Sequence, residues 1–134
     1  MKRKAAAVKA GDKFELKQTV GKYDPIYYAG ASGDFNPIHI DPEFGKMVGL
    51  GGNILQGLCT MAFTARCHTD FGGDPGALKR IKVRFSSPVR PADVVAVQSH
   101  VATVEGKRVK AEFNAVNQKG EEVITMAFAE LELD

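Results

Sequence analysis

A carboxylate and an imidazole occur five residues apart in the segment Ser-Gly-Asp-Phe-Asn-Pro-Ile-His-Ile-Asp, which covers residues 32–41. The acid is Asp34, the imidazole is His39, and an Asn-Pro pair separates them. Asn-Pro initiates turns, and a proline holds the residue before it extended, so the bend returns both side chains to one side. One carboxylate and one imidazole around a shared water are the minimum for adding or removing that water by general acid–base catalysis.

The two side chains have separable roles in such a site. Asp34, ionised at neutral pH, is the candidate general base, and His39 is the candidate proton donor to carbon. The alternatives are a loop aspartate that caps a turn and a structural histidine. Asn36 is either a positioning residue, whose amide orients the loop or the carboxylate, or an ordinary turn-forming asparagine. A metal site built from His39 and Asp41 has too few ligands, so we expect no metal and no other cofactor.

The composition indicates one ordinary globular domain spanning residues 1–134, with 44% apolar and 25% charged residues. A net charge of +2 is too small to indicate nucleic-acid binding. The basic N-terminus resembles the start of a signal peptide, but Lys9 interrupts its apolar stretch. With no run long enough to span a membrane, the expected location is cytoplasmic. Cys59 and Cys67 are expected to be free thiols.

The elements that must position the Asp34 loop form an α+β pattern. A first strand is predicted at residues 14–20, and Asp24-Pro25 is typical of a capped start of a short helix. Asp41-Pro42 repeats that arrangement, and Gly49 can end the second short helix. Residues 54–66 are apolar nearly all round, which predicts a buried helix that continues to about residue 70.

Period-two alternation marks the second half of the chain as strands. Ile81, Val83 and Phe85 alternate with basic residues, and further strands are predicted at the ranges 93–104, 107–117 and 122–133. A buried helix followed by an antiparallel meander implies a sheet wrapped around that helix. Such a sheet leaves exposed edges, which predicts a homodimer.

The 32–41 segment resembles the hydratase-2 motif of the MaoC-like (R)-specific enoyl-CoA hydratases. The similarity continues through residues 41–44, 54–60 and 84–91, and covers the range 23–97 clearly. This region resembles both the hydratase-2 domain of peroxisomal multifunctional enzymes and the stand-alone bacterial hydratases. The resemblance implies a single hotdog domain and a hydro-lyase. Such an enzyme adds or removes water across the 2,3-double bond of an acyl-CoA or acyl-carrier-protein thioester, with an (R) outcome.

The start of the predicted buried helix carries a candidate oxyanion site. Gly57 lies in its first turn, where backbone N–H groups have no internal partner and a glycine lets a thioester carbonyl approach. The resemblance implies this use, and tight helix–sheet packing is the alternative. The residue before the glycine is usually His in the family, whereas this chain has Gln56, which cannot titrate near pH 7. We interpret Gln56 as a positioning residue.

Four cations are candidates for binding the phosphates of coenzyme A: Arg80, Lys82, Arg84 and Arg90. An ordinary solvated strand face is the alternative interpretation. Two other functions also fit the sequence. A hotdog thioesterase is disfavoured because residues 54–69 contain no Asp or Glu. A non-catalytic or partner-dependent acyl-thioester-binding subunit of a heteromeric hydratase is suggested only by Gln56.

Overall fold

The computed structural model describes residues 1–134. Its single sheet has five antiparallel strands: β1 (Lys13–Thr19), β2 (Leu78–Phe85), β3 (Val94–Glu105), β4 (Arg108–Val116) and β5 (Glu122–Glu132). The strand order is β1-β3-β4-β5-β2, so β1 and β2 are the two unpaired edges. The three predicted later strands and their two hairpin turns are confirmed to within one or two residues.

Four helices lie on the sheet or lead to it: α1 (Asp24–Ser32), α2 (Pro37–Ile40), α3 (Pro42–Met47) and α4 (Gly57–Gly72). Asp41 caps α3 as predicted, because its carboxylate accepts from the N–H groups of Glu43 and Phe44. The predicted cap of α1 is wrong by one residue. Tyr23 is the N-cap, and Asp24 is the first helical residue, with its carboxylate accepting from the N–H of Gly21 at 2.7 Å.

The side-chain alternation along β4 separates the core from solvent. Val109, Ala111, Phe113 and Ala115 are all buried, whereas Lys110 between them is exposed. Buried and exposed residues alternate along such a strand because successive side chains point to opposite faces, one toward the core and one toward water. The buried face of the sheet therefore lies against the helix.

Helix α4 packs across that inner face and contacts β1, β2, β3 and β5. Its buried side follows a helical period through Thr60, Thr64 and Cys67. Its other side is open, since Leu58 is 62% exposed and Ala62 is exposed as well. The sequence predicts that α4 is buried on all sides, and this is wrong within a single chain. The sheet covers only one side of the helix.

An antiparallel sheet wrapped on one long helix is the α+β hotdog architecture predicted from the sequence. The helix begins at Gly57 rather than residue 54 and ends at Gly72, two residues beyond the predicted end. At 16 residues it is the longest helix, and neither it nor the others have the length and apolar content needed to cross a bilayer. The segment between α1 and α4, which includes α2, carries Asp34 and His39.

Candidate active site

The loop that carries Asp34 begins where α1 ends. Gly33 adopts the left-handed conformation, with φ 80°, that terminates the helix and turns the chain. The Ser32 hydroxyl donates to the Tyr28 carbonyl at 2.7 Å and accepts from the Asp34 N–H at 3.1 Å. Asp34 Oδ1 in turn accepts from the N–H of Asn36 at 3.3 Å. One carboxylate oxygen of Asp34 is therefore used to hold the loop, and the other is free.

Asn36 caps the short helix that carries the imidazole. Its side-chain oxygen accepts from the N–H of Ile38 at 3.2 Å, and Pro37 occupies the first helical position. The carboxamide thus shapes the start of α2, while the backbone N–H of Asn36 holds the carboxylate. Both interpretations of Asn36 from the sequence, turn formation and positioning, are consistent with these contacts.

His39 lies on α2 and is nearly buried, with 9% of its surface exposed. Its Nδ1 lies 2.8 Å from the carbonyl oxygen of Ile54. Because a carbonyl only accepts, Nδ1 carries the proton in this arrangement, and Nε2 is the free nitrogen of the neutral ring. The same contact serves the cationic ring, in which Nδ1 and Nε2 both carry protons.

Nε2 of His39 lies 3.6 Å from Oδ2 of Asp34. This separation is too long for a direct hydrogen bond, and a polar contact of this length is where a bridging water is expected. The Asp34 side chain is 46% exposed, so solvent reaches the pair. The two side chains converge as predicted, and the two atoms that face each other, Oδ2 and Nε2, make no other hydrogen bond.

A cavity of about 310 Å³ opens beside His39 and Gly57. Apart from these two residues its lining consists of Ile54, Leu55, Thr60, Phe85, Ser86, Ser87, Pro88, Val89 and Val123. Gly57 lies in the first turn of α4, as predicted, and is its first residue, so its N–H belongs to the group that has no partner inside the helix. A Cβ at this position would lie 3.2 Å from the Phe85 ring, so the glycine also makes room for that ring.

Gln56 is the N-cap residue of α4 and is 1% exposed. Its side chain makes no cap bond, and instead Nε2 donates to the Pro25 carbonyl at 2.9 Å. Oε1 is buried without a hydrogen-bond partner. Gln56 therefore ties the start of α1 to the start of α4, which are the helices that lead to Asp34 and to Gly57. The contacts support its interpretation as a positioning residue.

All four candidate phosphate-binding cations lie outside the cavity lining. Arg80 lies 3.8 Å from Glu130 and stacks on the Phe128 ring at 5.2 Å. Arg84 is exposed and directly precedes a lining residue, whereas the Arg90 guanidinium donates to the carbonyl of Leu50. Lys82 is exposed on the same strand face as Arg80 and Arg84. The role of these cations toward coenzyme A stays a prediction.

Both cysteines are free thiols. Burial, with a smaller contribution from Asp24, raises the pKa of the Cys59 thiol to about 11. Burial, reinforced by Asp70 and Glu15, raises the pKa of Cys67 to about 12. Neither thiol is ionised near neutral pH, so neither is a nucleophile in its resting state.

His68 is a second buried histidine, on the inner face of α4 and fully excluded from solvent. Its Nδ1 contacts the Thr64 carbonyl at 2.7 Å, its Nε2 contacts the Ser99 hydroxyl at 3.0 Å, and its ring packs between Phe14 and Phe113. Burial lowers its pKa from the ordinary value of 6.5, while the Thr64 hydrogen bond opposes that change. The folded protein thus holds this ring neutral.

Because His68 is buried as a neutral ring, the free energy of unfolding is expected to fall as the pH is lowered. Below pH 6.5 the unfolded chain binds a proton at His68 that the folded chain does not, so the free energy of unfolding falls by up to about 1.4 kcal/mol per pH unit. The loss continues until the pH reaches the lowered pKa of the folded state. Urea unfolding across the histidine titration range should show a shallower pH dependence for His68→Gln than for the wild type. His100→Gln, at an exposed strand position, is the control, and equal slopes for wild type and His68→Gln would contradict the prediction.

Sequence reasoning missed several residues that build the site. The Ser86–Val89 wall lies inside the segment used for the resemblance, but no role was assigned to it. The Ile54 carbonyl contacts the imidazole through the backbone, which leaves no trace in residue type. Asn53, whose Nδ2 donates to the His39 carbonyl at 2.9 Å, was also missed. The only sequence feature that marks Asn53 is its position as a polar residue that follows two glycines and precedes an apolar run.

The fold and site together place a carboxylate and an imidazole beside an apolar cavity at the start of a hotdog central helix. A family model described as "MaoC like domain" matches residues 3–125, and the chain belongs to this family. The unliganded R-hydratase PhaJ1 of Pseudomonas aeruginosa has a similar structure. The TM-score is 0.90 at 25% identity, and the match covers 98% of this chain and 86% of that one.

Two relatives are similar in sequence. The chain is 38% identical over 102 residues to the mouse peroxisomal multifunctional enzyme type 2. This match covers 75% of this chain and 13% of the relative. The chain is 41% identical over 80 residues to the peroxisomal enoyl-CoA hydratase 2 of Arabidopsis thaliana, covering 58% of this chain and 25% of the relative. The chain thus corresponds to a small part of each relative.

Proposed function

We propose that this protein is an (R)-specific enoyl-CoA hydratase, acting in reverse as a 3-hydroxyacyl-thioester dehydratase. The observation that carries the proposal is the 3.6 Å separation of His39 Nε2 and Asp34 Oδ2. His39 and Gly57 both line the adjacent cavity. The names of the relatives support the reaction class, and the name of the P. aeruginosa structure supports the (R) outcome. We assign the whole range 1–134 to this one MaoC-like domain.

In the proposed reaction a 2-enoyl thioester lies in the cavity with its carbonyl oxygen on the Gly57 N–H. That contact draws electron density from the double bond and makes the β-carbon electrophilic. Water loses a proton to Asp34 as its oxygen bonds to the β-carbon, and Nε2–H of cationic His39 supplies a proton to the α-carbon. The proton on Asp34 then returns to Nε2 of His39, 3.6 Å away, which restores the starting pair. Both groups lie on one face of the olefin, so addition is syn. Dehydration follows the same steps in reverse.

Hydration of crotonyl-CoA tests the proposal through loss of the ultraviolet absorbance of the conjugated thioester. Parallel assay of crotonyl-pantetheine and a crotonyl-carrier-protein separates a requirement for the nucleotide of coenzyme A from one for the carrier protein. Release of free thiol without hydration would instead indicate a thioesterase. Stable binding of the thioester without either reaction would indicate a non-catalytic or partner-dependent subunit. Chiral analysis of the 3-hydroxybutyryl product tests the (R) assignment.

A homodimer is the assembly that the exposed surfaces favour. The β2 edge is unpaired, and near it lie Phe85, 50% exposed, and the open side of α4 at Leu58. An edge strand has unpaired backbone N–H and C=O groups, and with apolar side chains beside it such an edge favours pairing with a second copy. Because Phe85 lines the cavity, a second copy at this edge would adjoin the site.

Sedimentation is expected to give twice the chain mass for the wild type. Leu58→Glu should shift the protein toward monomer, because a carboxylate replaces an apolar contact at the proposed interface. Met47→Glu, at a position 74% exposed on α3, is the matched control and should sediment like the wild type. A monomeric wild type would contradict the assembly.

A further inference from the structure

Helix α2, which carries His39, is too short to hold its own shape. It has four residues, Pro37–Ile40, and helices of that length are unstable in water because nucleation is costly and propagation adds little. Its carbonyl groups also lack partners inside so short a helix. The position of the imidazole therefore depends on contacts from outside α2.

Those contacts come from two consecutive residues of the segment before α4. The N–H of Ile54 donates to the Ile38 carbonyl at 2.9 Å, and the Ile54 carbonyl accepts from the His39 ring at 2.8 Å. Asn53 Nδ2 donates to the His39 carbonyl at 2.9 Å. Ile54 uses only backbone groups in its two contacts, whereas Asn53 uses its side chain. A carbonyl acceptor requires the NH2 group, which determines the orientation of the Asn53 amide.

The loop that holds Asn53 is itself fixed on α3. Leu50 N–H donates to the Gly45 carbonyl at 2.8 Å, and a Cβ built on Gly45 would lie 1.9 Å from the Gly52 carbonyl oxygen. Only a glycine at position 45 lets the loop backbone approach so closely. On the other side of the loop, the Arg90 guanidinium donates to the Leu50 carbonyl. Asn53 therefore projects from a supported loop.

We infer that Asn53 is a positioning residue for the proposed hydration, setting through the His39 carbonyl where the imidazole stands relative to Asp34. The inference rests on the proposed function. The ring is held at Nδ1 by one backbone oxygen, and a single hydrogen bond allows it to pivot. The Asn53 contact restrains the peptide from which the ring projects, so removing the donor lets Nε2 move off the shared water. Displacements of about 1 Å at a reacting group can cost as much as 10²-fold in rate.

Two variants remove the donor in different ways. Asn53→Ala deletes the side chain, and Asn53→Asp keeps its size but offers only acceptors to the His39 carbonyl. With crotonyl-CoA as the probe, both are expected to lower kcat by about 10- to 100-fold, with KM changed less than about threefold, because binding to the Gly57 end of the cavity is retained. Wild-type kcat in both variants would overturn the inference.

Asn117→Ala is the matched control for a general loss of stability. The Asn117 side-chain oxygen accepts from the N–H groups of Lys119 and Glu121, both at 3.0 Å, in the turn between β4 and β5. Its replacement also removes an asparagine that holds a loop, and kcat should stay at the wild-type value. An equal fall in kcat for Asn117→Ala, at equal loss of melting temperature, would show that Asn53 acts only through stability.

The imidazole gives a readout that does not need activity. In the wild type, 15N correlation spectra of the His39 ring are expected to show Nδ1 protonated, as the Ile54 contact requires for the neutral and the cationic ring alike. Both Asn53 variants should show mixed tautomers or exchange broadening, and Asn117→Ala should not. If the wild type does not hydrate crotonyl-CoA, the proposed function is contradicted, whereas the effect of Asn53 on the His39 ring can still be measured in these spectra. Ring spectra unchanged in both Asn53 variants would overturn the inference.

Discussion

Replacing Asp34 with asparagine is expected to lower kcat for hydration of crotonyl-CoA by about 10²–10⁴-fold, the usual contribution of general acid–base catalysis. The substitution keeps the size of the side chain and one oxygen for the Asn36 N–H bond, so the loop is retained. It removes the anionic oxygen that lies 3.6 Å from His39 Nε2 and that we propose accepts the proton of water. KM should change little, because the carboxylate is not part of the cavity lining.

Asp70→Asn is the matched control for this prediction. Asp70 lies on α4, is 59% exposed, and pairs only with Arg66 at 3.5 Å. Exposed pairs of this kind contribute about 0–1 kcal/mol, so both activity and stability should stay close to those of the wild type. Full activity of Asp34→Asn in the same assay would remove Asp34 from the mechanism and with it the proposed chemistry.

The convergence of Asp34 and His39 was predictable because it is local. Both residues lie within one turn-and-helix segment, where Gly33, Asn36 and Pro37 each have a defined backbone preference. The place of Gly57 in the first turn of α4 was predictable for a similar reason, since the apolar run from residue 54 indicates a buried helix, although the helix begins three residues later. The architecture followed from period-two alternation, which reports directly on which face of a strand is buried.

The walls of the site were not predictable because they depend on contacts between distant segments. Phe85 meets Gly57 only once β2 is paired with β5 and α4 is seated on the sheet. The Asn53 contact to His39 spans fourteen residues and joins a side chain to a backbone carbonyl, which no periodicity records. The open side of α4 could not be inferred either, since hydrophobicity does not reveal whether a sheet or a second chain covers a face.

Gln56 shows how an unfamiliar residue can preserve a structural function. Histidine usually precedes the glycine in the family that the sequence resembles, and the glutamine here donates one N–H to Pro25 while leaving Oε1 buried without a partner. An imidazole could make the same donation. The glutamine therefore ties α1 to α4 and adds no titratable group next to Gly57.

Gly57→Ala is expected to lower kcat by about 10²–10³-fold, the usual effect of losing one oxyanion-hole donor. The added methyl group would stand 3.2 Å from the Phe85 ring, in the cavity where we propose that the thioester oxygen contacts the Gly57 N–H. The ring is 50% exposed and can move by the few tenths of an ångström that this contact requires, so the chain should still fold. Circular dichroism and crotonyl-CoA kinetics separate the two effects.

A double variant distinguishes the oxyanion role from simple packing. Comparing Gly57→Ala/Phe85→Ala with Phe85→Ala alone removes the collision with the ring while keeping the methyl group beside the N–H. If Gly57 binds the carbonyl, the loss from Gly57→Ala persists in the Phe85→Ala background. Recovery to the level of Phe85→Ala alone would assign the glycine to helix–sheet packing. Gly30→Ala, in α1 with no heavy atom within 4 Å of the new Cβ, is the control and should gain roughly 0.5–1 kcal/mol of stability with unchanged kcat.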